Sequence, residues 1–499
     1  MIRCLATYWI IVLLMGEGSI FAQQIKDREI QLLQAQVHAL IEKAEPSIVC
    51  IAVSRSDGYR KYGQQPSADQ PGKLGTFDRK HFHEMGDLAT RELLRRLDLS
   101  DPDTVPDSYG SGVVIDPKGL ILTNYHVIRD ATKIFVRLPG GSGSYADLHA
   151  ADARSDLAVL RLIVPPKNLK PITFSDGSAV KKGDFVISLA NPFSVGFRDG
   201  SPSASWGMIS NLKRRGPGPS KEIERNRPLS QYQILLQTDA RLNLGCSGGA
   251  ILNLNGEMIG LTTSTAAIQG GESAGGFALP MDKGMLRFIE VLKRGEEIEY
   301  GFLGISIPPN DPFLPEGIPG ISVDGVMPGL PASRAGLQRG DWITRINGQP
   351  VKDYDDLFLS VGSQLAGTEV VLDVQSFNRS RKVTVRLAKA NPTGLSIASE
   401  KRAPVFGIRV DYTSVLMTNN SIPLPTGVYV REIIKESPAE SKLKPRREGD
   451  RMIITQVNGK AISNPADFFE AVKNKGSLEL KVVDVVPNFE STERTVKLP

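Results

Sequence analysis

Cysteine is scarce in this chain. There are three in 499 residues, at Cys4, Cys50 and Cys246, too few for a disulfide framework to carry the fold. Cys50 sits in the apolar run Ile48-Val49-Cys50-Ile51-Ala52-Val53, where a buried, inert thiol is the default. A Cys50 to Cys246 bridge stays open, with no local feature supporting it. Histidine is almost as rare, with His38, His81, His83, His126 and His149. His81-Phe82-His83 is the nearest approach to a ligand pair, but no cysteine or third histidine stands beside it, so neither a metal nor an organic cofactor is expected. Aromatics make up 6% and the net charge is a mild +5. The basic clusters Lys213-Arg214-Arg215 and Lys444-Pro445-Arg446-Arg447 lack interleaved aromatics, which argues for solvated loops and against a nucleic-acid groove. Long apolar runs are also missing. Leu5 to Met15 is shorter than the ~20 residues that a spanning helix needs. With Arg3 before it and Gly16 to Ala22 after it, the run has the three-part organisation of a secretory signal peptide, cleaved after Ala22.

What the chain does have is length for about three domains, 40% hydrophobic residues and several compact motifs. Ile25 to Lys43 has the spacing of an amphipathic helix, expected to cover a neighbouring sheet. Arg55 to Ser108 is polar and punctuated by Gly and Pro, a long surface loop, and Lys213 to Ser230 is a second. The densest motif is Gly245-Cys246-Ser247-Gly248-Gly249-Ala250. Its glycines permit backbone conformations closed to other residues, so the N–H groups of Gly245 and Ser247 can converge on one point as an oxyanion hole. Upstream, Ser111 to Asp116 leads through Lys118-Gly119 into Leu120 to Ile128, a β-hairpin that ends at His126. Arg154-Ser155-Asp156 then places a carboxylate just before the apolar strand Leu157 to Leu162.

His126, Asp156 and Ser247 occur in the chain order of trypsin-like proteases, which differs from the orders of subtilisins and α/β-hydrolases. In that chemistry Ser247 is the nucleophile, His126 the base and then the acid, and Asp156 the group that fixes the imidazole tautomer. Seven ordered motifs carry a resemblance to the HtrA (Deg) family of serine proteases from about Ala44 to the C-terminus. They are Pro46-Ser47-Ile48-Val49, Gly110-Ser111-Gly112-Val113-Val114, Thr123-Asn124-Tyr125-His126-Val127, Ser155-Asp156-Leu157-Ala158-Val159-Leu160, Ala190-Asn191-Pro192-Phe193, Gln237-Thr238-Asp239-Ala240 and the Ser247 loop with Leu254 to Gly260 behind it. The resemblance implies that Thr262 to Thr265, with Thr263, Ser264 and Thr265 as contact residues, pairs with an extended substrate and lines the specificity pocket. No aspartate marks that pocket's base, which favours a small aliphatic residue before the cut. The chain departs from the family's Pro-Gly-Asn-Ser at Leu244-Gly245-Cys246-Ser247. Cys246 is the alternative nucleophile, but the Ser-Gly-Gly register puts Ser247 at the attacking position.

After Tyr300 the chain repeats itself. Pro331-Ala332, Gly340-Asp341 and Asn347-Gly348 recur as Pro438-Ala439, Gly449-Asp450 and Asn458-Gly459, at offsets of 107, 109 and 111 residues. Each copy carries a short helix, Asp353 to Val361 and Pro465 to Lys473, and is read as one small duplicated module. The motifs resemble PDZ domains, which take a peptide C-terminus by β-augmentation. Tyr300 to Ile305 matches the carboxylate loop, with Phe302, Leu303 and Gly304 as its contact residues. The second copy has Pro404 to Ile408 in that place and is divergent.

The expected architecture is mostly β. A signal peptide (1–22) precedes a trypsin-like double six-stranded β-barrel (23–300, with its inserted loop at about 55–108), then two α+β PDZ domains (301–392 and 403–499) joined by a linker over Asn391 to Ala403. By the resemblance the chain is a periplasmic or secreted, ATP-independent endopeptidase acting on unfolded or damaged protein. Peptide C-termini bind the first PDZ domain, and the assembly is a homotrimer or larger. The alternative is a proteolytically weak chaperone or peptide-binding scaffold.

Overall fold

A computed structural model describes residues 28–55, 98–102, 104, 106–175, 177, 179–192, 198–214, 235–263, 275–307, 320–376, 379–391, 396–416, 424–445, 449–485 and 491–499. The leader 1–22, most of the 55–108 insertion with His81 and His83, most of the 213–230 loop, Arg446, Arg447, Phe193, Ser264 and Thr265 lie outside the described residues. The chain divides into two compact units. One is formed by residues up to 147 with 159–214 and 235–283, the other by 148–158 with 284–499.

The first six strands are β1 (Ile48–Ser54), β2 (Ser108–Asp116), β3 (Leu120–Asn124), β4 (Lys133–Arg137), β5 (Gly143–Asp152) and β6 (Leu157–Leu162). They run in the order β5-β4-β1-β2-β3-β6, and β6 pairs back onto β5, which closes the sheet. All seven residues of β1 are buried, as expected of a near-continuous apolar run in a sheet covered on both faces. Gly112 of β2 pairs with Val49, and a Cβ there would come within 2.7 Å of Ile121 and 2.8 Å of Ile51. The glycine is what lets β1, β2 and β3 pack this closely. The tips of β5 and β6 and the turn joining them group with the second unit.

A second closed barrel follows, from β7 (Phe185–Ala190), β8 (Ser203–Arg214), β9 (Leu235–Thr238), β10 (Ala250–Leu252), β11 (Met258–Thr263) and β12 (Gly276–Pro280), in the order β10-β11-β12-β9-β8-β7. The helix anticipated at the N-terminus is present over 28–44, but it covers less than expected. Leu40 and Ala44 are buried, whereas Ile30 and Leu33, on the same helical face, are 63% and 38% exposed. Only the last turns are packed among the described residues. Cys50 and Cys246 are both free and buried.

In the second unit the repeat is visible bond by bond. The first copy has a sheet of Ile321–Ser322, Trp342–Ile346, Glu369–Ser376 and Arg379–Arg386, the second a sheet of Ile408–Tyr412, Val428–Ile433, Arg451–Val457, Leu478–Val485 and Thr492–Leu498. The helices are Tyr354–Gly362 and Pro465–Val472. Asn347 and Asn458 both adopt left-handed backbone, at φ of 49° and 50°, each followed by a glycine at 78° or 77°, the turn that matches strand twist in a two-residue hairpin. Each side-chain carbonyl accepts a backbone N–H from a neighbouring strand, Val371 for Asn347 and Glu479 for Asn458. Asp353 and Asn464 cap the two helices by accepting the N–H groups of Asp356 and Asp467. Separate apolar cores centre on Val323, Ile343 and Leu372 in one copy and on Ile454, Phe468 and Leu480 in the other.

The segment between the copies is not featureless. Ser396–Ala398 is a strand, paired antiparallel with Ala150, Ala151 and Asp152.

Asn458→Ala will lower the stability of the second copy by about 1–2 kcal/mol, because it loses a hydrogen bond and keeps a side chain in left-handed backbone. Asn458→Gly will cost less. Chemical denaturation midpoints of the two variants check this, and equal shifts would refute the backbone explanation.

Candidate active site

The loop that carries Ser247 is built from hydrogen bonds which its own sequence cannot all supply. Gly245 and Gly248 have φ of +92° and +87°, a region that side chains enter only under strain. A Cβ at Gly245 would stand 2.6 Å from the Asn191 carbonyl oxygen. The Cys246 carbonyl accepts from the Gly249 N–H at 3.0 Å and from the Thr262 hydroxyl. Because the peptide bond is trans, a Cys246 carbonyl held from that side turns the Ser247 N–H the opposite way.

Across the loop, β2 holds Ser247 through Ser111. The Ser111 N–H donates to the Ser247 carbonyl at 2.7 Å, its hydroxyl donates to the Gly245 carbonyl at 2.7 Å, and the same oxygen accepts the Asn191 N–H at 2.8 Å. The Ser111 carbonyl accepts from the Thr123 hydroxyl at 2.7 Å. In the sequence Ser111 is one residue of the Gly110 to Val114 motif, with no role marked for it. Its one local signal is a small polar residue set between two glycines, Gly110 and Gly112.

His126 lies in the one-turn helix Tyr125–Ile128 directly after β3. Its Nε2 is 3.0 Å from Ser247 Oγ, within hydrogen-bond reach. Ser247 itself is 3% exposed. Two of the three residues singled out for the triad are therefore in contact. Asp156 occupies the turn before β6, in left-handed backbone at φ of 57°, within the 148–158 segment of the second unit.

Cys246 points inward. It is buried, its sulfur accepts the Asn243 N–H at 3.3 Å, and burial pushes its thiol up. The Cys50 thiol is pushed up to about 12, chiefly by burial. A thiol with a raised pKa holds little of the thiolate that a nucleophile needs.

Of the residues named for substrate contact, Thr263 ends β11 and pairs with Phe277. The Thr262 N–H and carbonyl are taken by Gly249 and Gly248, both at 2.9 Å, so Thr262 has no peptide group left for a substrate strand. In the second unit Phe302 pairs with Ala388. Leu303 is in the apolar core of the first copy. Gly304 turns the chain at φ of 81° and its carbonyl accepts the Met327 N–H at 3.0 Å. Among the described residues no group of three or more His, Cys, Asp or Glu is placed to hold a metal ion.

Residues 110–261 match the trypsin-like peptidase domain family, and residues 322–376 match the PDZ domain family. A probable periplasmic serine endoprotease, DegP-like, of Ectopseudomonas mendocina (strain ymp) is 32% identical over 441 residues, 86% of this chain and 87% of the relative. The periplasmic pH-dependent serine endoprotease DegQ of Escherichia coli (strain K12) is 31% identical over 407 residues, 80% of this chain and 79% of that one. Among solved structures, the HtrA-type protease AlgW with decapeptide is 26% identical with a TM-score of 0.47, covering 71% of this chain and 98% of that one. By the length and level of its identity to these endoproteases, the chain belongs to the HtrA/Deg family of serine endopeptidases.

Proposed function

We propose that this periplasmic endopeptidase cleaves unfolded or damaged proteins with a triad of Ser247, His126 and Asp156, and that its first PDZ module captures peptide C-termini. The observation that carries the reading is the 3.0 Å contact between His126 Nε2 and Ser247 Oγ. The Ser247 oxygen attacks the scissile carbonyl carbon while its proton passes to His126 Nε2. The N–H groups of Gly245 and Ser247 receive the negative charge that develops on the carbonyl oxygen. His126 then gives its proton to the leaving amine, which breaks the C–N bond and leaves an acyl-enzyme. Water, deprotonated by the same imidazole, releases the acyl group and restores Ser247. Asp156 orients the ring and stabilises the imidazolium. No cofactor takes part.

The family resemblance of Tyr300 to Ile305 supports the first module as the peptide-binding copy, with Phe302, Leu303 and Gly304 as its contact residues; the left-handed turn at Gly304 recurs at Gly407 of the second copy, with φ of 81° and 83°. In the second copy the corresponding loop closes on itself. The Ile408 N–H donates to the Val405 carbonyl at 2.9 Å and the Val405 N–H to the Ile408 carbonyl at 3.0 Å. One donor that a terminal carboxylate would use is thus occupied, and we assign that divergent PDZ copy a structural role. Thr263 to Thr265 pairs with the substrate strand, a small aliphatic residue precedes the cut, and the working form is a homotrimer or larger assembly, as the family resemblance implies.

A fluorophosphonate will label the wild-type protein at Ser247, located by peptide mass spectrometry. Ser247→Ala will take no label and lose about 10⁴-fold or more of peptide hydrolysis. Labelling of Cys246 in its place would sink the assignment. Ser111→Ala will leave the buried Gly245 carbonyl and Asn191 N–H without their side-chain partner, at a cost of about 1–3 kcal/mol. It should lower kcat more than it raises KM, because the loop it aims serves the transition state. An unchanged kcat would show that the loop holds its shape without Ser111.

A further inference from the structure

Residues 148–158 carry Asp156, yet they group with the C-terminal part of the chain. Two sets of contacts tie them there. On the β5 side, Ala150, Ala151 and Asp152 pair with the strand Ser396–Ala398. Just before them, the His149 carbonyl accepts the Ser399 N–H at 3.0 Å, while the two His149 ring nitrogens lie 2.9 Å from Ser399 Oγ and 3.0 Å from the Lys293 carbonyl oxygen. On the turn side, Asp152 Oδ2 accepts the Ser155 N–H at 2.7 Å and the Ser155 hydroxyl at 2.8 Å, which draws the turn closed directly before Asp156. The same oxygen accepts the hydroxyl of Tyr300.

Tyr300 is fully buried, and Asp152 and Ser155 are 3% and 1% exposed. The Arg154 guanidinium lies 4.3 Å from the centre of the Tyr300 ring and 4.8 Å from that of Phe358, on the helix Tyr354–Gly362 of the first PDZ copy. The ring is steadied on another side by an edge contact with Phe288, with centroids 5.2 Å apart. Burial pushes the Asp152 carboxyl up, and the hydrogen bonds from Tyr300 and Ser155 oppose that only in part, so the net shift is upward.

Asp156 itself is held at φ of 57°. A non-glycine residue in that region persists where its surroundings over-determine it. Here those surroundings are the Asp152–Ser155 closure and the tyrosine behind it.

We propose that Tyr300 and Asp152 are positioning residues for the triad acid. Through the Asp152–Ser155 closure they fix the backbone of the turn that carries the Asp156 carboxylate, and with it the direction in which the acid is presented. The inference rests on reading Asp156 as the acid. Tyr300 lies at the entry to the first PDZ copy, where Gly301 N–H donates to the Gln364 carbonyl at 2.8 Å, and Arg154 touches that copy's helix. The path from module to acid is therefore a continuous set of packed groups.

Tyr300→Phe tests this with the least disturbance, since it keeps the ring against Arg154 and Phe288 and deletes one hydroxyl. Measured on the full chain with an unstructured chromogenic peptide, kcat should fall about ten-fold, the scale of one hydrogen bond to a charged acceptor, with KM within two-fold. The rate at which a fluorophosphonate phosphonylates Ser247, displacing fluoride, should fall in parallel. Asp152→Asn, which keeps an acceptor oxygen at the same place, should retain most of the activity that Asp152→Ala loses.

Asp156→Asn in the same assay separates the two ideas. A large loss there, with no further loss when Tyr300→Phe is added, is the expected non-additive result. If Tyr300→Phe leaves kcat unchanged, or its loss multiplies with that of Asp156→Asn, the positioning role is overturned and the triad stands. If Asp156→Asn keeps full activity, the triad reading falls and takes this inference with it.

Discussion

A single buried serine holds the Ser247 loop to the strand behind it. Ser111 is fully buried, and its backbone and hydroxyl bond Ser247, Gly245, Asn191 and Thr123 at 2.7 to 2.8 Å. A buried peptide group without a partner costs as much as several good contacts gain. The irregular loop around Ser247 leaves such groups outside any ladder. Ser111 satisfies them from β2, and the loop can be irregular because β2 and its neighbours are regular and fully buried. The glycines at 245 and 248 follow from the same constraint, since the turns that bring these groups within reach of Ser111 and Thr262 leave no space for a Cβ.

The C-terminal unit solves a different problem with the same economy of parts. Two copies of one module, each with its own apolar core, are joined around buried charge. The side chain of Lys389 is 4% exposed and lies 3.2 Å from Asp411, 3.3 Å from Glu297 and 3.7 Å from Glu299. Arg431 adds pairs to Asp411 and Glu297 at 3.0 and 3.4 Å. Burial alone would lower the lysine's pKa, but the three carboxylates outweigh it and the net shift is upward. Burial likewise raises Glu299, with Lys389 opposing. Such a cluster gives little net stability over a well-packed apolar contact. Removing one partner would cost far more than the cluster gains, because it would leave a charge buried and unpaired. The copies keep separate cores and meet at this cluster.

The motifs of the candidate site were legible in the sequence because they are local. A Ser-Gly-Gly run, a histidine where a strand expires and an aspartate before an apolar strand each depend on residues adjacent in the chain. Their order alone distinguishes this arrangement from other serine hydrolases. The repeat was legible for the same reason, since Asn-Gly turns and helix caps are decided within four or five residues. The helix at 28–44 shows the limit. Its periodicity announced an apolar face, but whether anything covers that face is a tertiary matter, and Ile30 remains exposed.

By itself, then, the sequence determined which turns need glycine or asparagine, and that a pattern of turns and helix caps recurs, because each of these rests on local backbone sterics and short-range hydrogen bonds. The tertiary structure alone decided that Ser111 reaches Gly245 across 134 residues, that Tyr300 meets Asp152 across 148, and that a strand between the two modules pairs beside the turn of Asp156. These pairings join polar groups with no local partner, and only the packing of distant apolar strands brings them together, so nothing in the flanking residues announces them.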